Sequence, residues 1–146
     1  MKKIINTILF CVAFSLLTMQ NAFGGESIVV IVNASNTQTI SQQDVKNIYA
    51  DIVTHWDNGQ KIDVFNLYVD DGSRETFSQK VFGESARKLA AAESNRKITN
   101  TIKNPSRTKS ARLVAKLVSK KPDAIGYIPL SLAKEVPNIR IVLQID

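Results

Sequence analysis

The residues best equipped for chemistry crowd one junction, Asp70-Asp71-Gly72-Ser73-Arg74-Glu75-Thr76-Phe77. Gly72 lets backbone approach a ligand closely, and a helix starting there offers free N–H groups with partial positive charge. Ser73 adds a hydroxyl, and Arg74 a planar cation able to grip an anion through two parallel hydrogen bonds. This is equipment for holding an anion. The same N–H groups can also be satisfied internally, with Asp71 or Ser73 as the helix cap. A second polar cluster, Asn33-Ala34-Ser35-Asn36-Thr37, supplies Ser35 and Asn36 as further candidate ligand contacts.

Catalysis is not expected. A Ser–His–Asp set would need His55, the single histidine, which lies between Thr54 and Trp56 beside a turn with no nucleophile elbow anywhere. The carboxylate pairs Asp70/Asp71 and Asp51/Asp57 fall in polar loops, where nothing raises a pKa for acid work. One histidine and one cysteine cannot build an ordinary structural zinc site, and no nucleotide motif is present, so neither metal nor cofactor is expected.

The elements that must position these residues follow from local patterning. Ser27–Asn33 is an unbroken apolar, β-branched run, the signature of a strand buried on both faces. Ser41-Gln42-Gln43-Asp44 opens a helix, with Ser41 as cap and Val45, Ile48, Tyr49 and Ile52 as its apolar face. Asp57-Asn58-Gly59 turns the chain into a second strand, Ile62–Tyr68. Helices are then predicted from the Asp70–Ser73 junction to Gly83, from the Ser85 cap to about Lys97, and through Ala111–Val118. Ile98–Arg107 reads as a polar loop. Ala124–Ile128 and Ile139–Gln144 are two further strands, with a short helix over Ser131–Val136 between them. Strands alternating with helices mean an α/β layered domain.

The first 24 residues are set apart. Met1-Lys2-Lys3 is a basic start, Ile4–Thr18 an almost uncharged apolar stretch, and Ala22-Phe23-Gly24 a small-residue cleavage site. That layout predicts a secretory signal cleaved after Gly24, leaving a single domain over residues 25–146 that is periplasmic or secreted. The apolar core is short for a membrane span of about 20 residues. Cleavage also removes Cys11, so the remaining domain must rely on its core rather than on disulfides.

Of 146 residues, 19 are Lys or Arg and 13 Asp or Glu, a net charge of +6 that falls to +4 once Lys2 and Lys3 leave. That charge is unevenly spread: −5 over Gly25–Gln79 and +10 over Lys80–Lys121. Phe82 is the one aromatic residue in the basic block, which lacks the stacking platforms that single-stranded nucleic acid requires. No nucleic-acid role is expected. The block is either a solvated surface or a docking face for an acidic protein or the anionic envelope surface.

The order of these segments resembles the substrate-binding proteins of phosphate ABC transporters, within the type 2 periplasmic binding protein superfamily. The resemblance runs from Ile28 to Ile128 and is carried by Trp56-Asp57-Asn58-Gly59, Asp71-Gly72-Ser73 and Ala124-Ile125-Gly126-Tyr127. Either Arg74 and Glu75 stand where that family's motif continues with glycine and threonine, or those two positions are deleted and Arg74-Glu75-Thr76-Phe77 follows directly. The resemblance implies a three-layer single lobe, a mixed sheet flanked by helices, about half the size of the two-lobed relatives. It also implies a non-enzymatic role in binding phosphate or a similar oxyanion through Ser35, Asn36, Gly72, Ser73 and Arg74. A lone lobe supplies half a cleft, so two expectations follow: a homodimer completes the site, or the lobe has become an interaction module without a small ligand.

Overall fold

The computed structural model describes residues 25–146, so the expected signal segment lies outside the described residues. The buried run becomes β1 (Ile28–Asn33), whose six residues are all buried. It lies between β4 (Ala124–Pro129) and β5 (Ile139–Ile145) and runs antiparallel to both. β2 (Asp63–Asn66) pairs parallel to β4, and the two-residue β3 (Arg107–Thr108) pairs parallel to β2. The result is a mixed five-stranded sheet in the order β3-β2-β4-β1-β5. Asp63 fastens the β2 side by accepting from Lys121 Nζ at 2.8 Å and pairing with Arg107.

Helices cover both faces. Val30 pairs with Tyr127 and Ile31 with Gly126, so these pairs look in opposite directions. On the Tyr127 face lie α1 (Gln42–Tyr49) and α2 (Gly72–Phe82), with α3 (Ala86–Ile98) packed on α2. Phe77 stacks on Tyr127 with ring centroids 4.0 Å apart, and Tyr49 meets Phe77 at 4.8 Å. On the other face lies α4 (Ala111–Lys120), which buries Val114, Ala115 and Val118. The short α5 (Leu130–Ala133) leads from β4 towards β5.

The expected caps are present: Ser41 and Asp44 form a reciprocal capping box, Ser85 accepts from Lys88 N–H, and Gly83 closes α2 at φ 71°. Two expectations are corrected. Ile52 does not join the apolar face of α1 and is 67% exposed. The helix ends at Tyr49, and Asp51 bends the chain at φ 65° while its carboxylate accepts the N–H groups of Lys103 and Asn104, both at 2.7 Å. Those two bonds hold the expected loop against the end of α1. The end of that loop forms β3, a strand too short to leave a periodic signal.

Gly126 is where the layers approach most closely: a Cβ there would stand 2.3 Å from Val114 Cγ1. Gly126→Ala is therefore expected to destabilise the fold by about 1–3 kcal/mol through overpacking. In denaturant melts, adding Gly126→Ala to Val114→Ala should cost much less than adding it to the parent, because the clashing methyl is gone.

Candidate functional site

The loop leaving β1 is built around Asn33. Its Nδ2 donates to the Val118 carbonyl of α4 at 2.8 Å, and its Oδ1 accepts from Ser35 N at 3.0 Å and Ser35 Oγ at 2.7 Å. Asn36 Oδ1 accepts from Gln38 N, while Arg140 donates to the carbonyls of Asn36 and Gln38 at 2.8 and 2.7 Å. Trp56, buried beside this loop, donates its indole N–H to the Asp123 carbonyl at 3.0 Å. Ser35, Asn36, Trp56 and Asp123 share a concavity of about 220 Å³. Ser35 and Asn36 are thus engaged in shaping their own loop.

The start of α2 is likewise self-satisfied. Asp71 is its cap: one carboxylate oxygen accepts from Ser73 N at 2.8 Å, and the Asp71 carbonyl accepts from Arg74 N at 3.0 Å. The Asp71 carboxylate takes the place that an anion would occupy. Gly72 and Ser73 line an open concavity with Glu26 and Asp71. Hydrogen bonds from Ser131 hold the Glu26 carboxyl below the usual range, so it too stays negative. Two carboxylates therefore guard the donors.

The two clusters do not meet. Ser35 and Asn36 follow the end of β1, where β2 and β4 begin, whereas Gly72 and Ser73 follow the end of β2. The six residues of β1 separate those ends of the sheet by roughly 20 Å. The five candidate ligand contacts consequently fall in separate places.

Arg74 points elsewhere. It is 5% exposed and donates from Nη1 to the Leu67 carbonyl at 2.7 Å. Among the described residues, no carboxylate oxygen lies within 4.0 Å of its guanidinium. It lines a cavity of about 230 Å³ beneath α3, together with Tyr49, Phe77, Phe82, Leu89 and Arg96. Arg96 donates to the Ala50 carbonyl at 3.2 Å, but its buried Nε has no hydrogen-bond partner among the described residues. Glu93 also lines the cavity, yet it is engaged by Lys97 at 2.9 Å and by Ser106 Oγ. Burial pushes the Tyr49 phenol well above its ordinary pKa, and its hydroxyl donates to the Phe65 carbonyl. Tyr49 is therefore a neutral wall. Sequence reasoning missed Arg96 and this cavity, because a basic residue on a basic helix carries no signal of pointing inward.

The remaining candidates are structural or exposed. His55 sits at an isolated bridge to Lys61, with Nδ1 2.8 Å from Thr54 Oγ1. No group of three or more metal-binding side chains occurs among the described residues. The basic block is divided, with α3 and α4 on opposite faces of the sheet. Within it, Lys88, Lys97, Arg107 and Lys121 are paired with carboxylates. On α4, Arg112, Lys116 and Lys120 form an exposed row.

Residues 18–142 match the family described as a PBP superfamily domain. Among curated proteins none matches. Several solved structures are similar, two of them as follows. One is an ABC-type phosphate transport receptor from Vibrio cholerae: 17% identity, TM-score 0.61, covering 80% of this chain and 46% of that one. The other is PstS from Borrelia burgdorferi: 16% identity, TM-score 0.62, with the same coverage, 80% and 46%. The chain spans about half the length of these structures, and at such identities the likeness establishes the fold.

The Asn33 contacts set an expectation for the loop after β1. Asn33→Ala should cost about 1–3 kcal/mol, since it leaves the Val118 carbonyl and the Ser35 donors unpartnered. Thermal melts should show Ser35→Ala as the milder change, because Asn33 still holds the backbone N–H.

Proposed function

The chain belongs to the PBP superfamily, and we propose that it is an exported, non-enzymatic binding lobe for a small anion, with Arg74 as the counter-charge. The observation that carries this reading is the buried Arg74 guanidinium with no carboxylate against it. Removing a charge from water costs several kcal/mol unless a partner offsets it, and one backbone carbonyl is a poor substitute. An anion entering beneath α3 would supply that partner. Phosphate is the ligand of the transport receptor that the fold resembles, so inorganic oxyanions are the first class to try.

The proposed binding place differs from the one the resemblance implies. Asp71 already fills the α2 N-terminus, and Ser35 and Asn36 lie at the far end of the sheet. The proposal therefore keeps Arg74 from the five candidates and leaves the others as framework. Export rests on the Met1–Gly24 pattern, and the absence of catalysis rests on the single His55 lying at an exposed bridge with no nucleophile elbow in the sequence. A lone lobe encloses its ligand incompletely, so modest affinity is expected.

Calorimetric titration with phosphate, sulfate and acetate at low ionic strength tests this reading. At least one oxyanion should bind, at least tenfold more weakly to Arg74→Lys, which keeps the charge but loses the planar fork, and undetectably to Arg74→Met. Arg74→Met leaves the Leu67 carbonyl without its donor but also removes a buried charge, so it should melt within a few degrees of the parent. Binding that survives both substitutions, or that vanishes in Ser73→Ala, would overturn the assignment.

A further inference from the structure

The Arg74 cavity is shaped for more than a bare inorganic ion. Beside the polar Asn66, Arg74, Ser78, Glu93 and Arg96, its lining includes the rings of Tyr49, Phe77 and Phe82 and the side chain of Leu89, so much of its wall is apolar. A tetrahedral phosphate presents hydrogen-bond acceptors on every side, and apolar walls would leave most of them unmet. The volume, about 230 Å³, also exceeds what such an ion fills. For scale, an apolar cavity of about 150 Å³ holds benzene.

The charges select a single negative group. Arg74 lacks a counter-ion, and Arg96 Nε is buried and unpartnered. Glu93 lines the same space and pairs with Lys97, so a second negative charge on the ligand would face a carboxylate. A carboxylate is planar and matches the guanidinium fork with two parallel hydrogen bonds. Its organic remainder would replace empty space against the rings and Leu89.

A second, more open groove adjoins the cavity. Arg74 and Glu93 also line this shallower groove of about 140 Å³, together with Ala90, Ser94, Lys97 and Thr108. Lys97 lies on that groove and is half-exposed, where it can attract an anion towards the inner cavity.

We propose that the cavity beneath α3 binds a monocarboxylate carrying a small apolar body, a single ring or a short alkyl chain, with the carboxylate on Arg74 and the body against Phe77, Phe82 and Leu89. This rests on the assignment of Arg74 as the anion contact and adds the ligand's chemical class.

The test compares benzoate and hexanoate with acetate and phosphate by calorimetry on the whole protein. Benzoate or hexanoate should bind at least tenfold more tightly than acetate or phosphate. Ala92→Phe, at the solvent-exposed rim of the cavity, should weaken the tighter of the two at least tenfold while leaving the melting temperature of the free protein in place. Arg74→Lys should weaken every carboxylate. If acetate binds as tightly as benzoate and hexanoate, or Ala92→Phe has no effect, the apolar-body assignment is overturned while Arg74 keeps its role. If no anion binds in an Arg74-dependent way, both assignments fall.

Discussion

The central strand β1 is antiparallel to both of its neighbours, and this constraint decides what the lobe can bring together. A chain leaving β1 emerges where β2 and β4 begin. The helix that follows β2 must start at the other end. Because β1 is buried throughout, its apolar side chains fill both faces, and no polar group from one end reaches the other. Every later feature accommodates that separation: Asn33 and Arg140 secure one end, and Asp71 caps the other.

Within this frame, the polar groups that look like ligand donors are consumed by the fold. Ser35 bonds to Asn33, Asn36 to Gln38, and the Ser73 amide to Asp71. Arg74 is the exception. It leaves the same helix turn yet runs inward beneath α3, where it is buried beside aromatic rings and, among the described residues, no carboxylate approaches it. A buried, uncompensated cation raises the energy of the empty lobe, and an incoming anion relieves it. Function on this account resides in Arg74, a buried charge that no carboxylate among the described residues offsets.

Much of the fold was legible in the residues because its determinants are local. A β-branched run makes β1, hydroxyl caps open α1 and α3, and a left-handed glycine closes α2. The Ala124–Tyr127 motif could be recognised, but the reason for its glycine comes from Val114 on a different element. Ile52 was misread because a helical stripe says nothing of the remote amides of Lys103 and Asn104 that draw Asp51 into a bend. The candidate site was less legible. Arg74 could be singled out by type, but the direction of its side chain depends on the Leu67 carbonyl and on the space left beneath α3. That Ser35 and Ser73 follow opposite ends of the sheet is set by strand direction, which no single segment encodes.

The most direct measurement of the central claim is an anomalous-scattering crystal structure of the protein soaked with 4-bromobenzoate. A bromine peak within the cavity bounded by Phe77, Phe82 and Leu89, with the carboxylate on the Arg74 guanidinium, is the expected result. An empty cavity, with bromine at the α2 N-terminus beside Gly72 and Ser73 or nowhere on the protein, would contradict it.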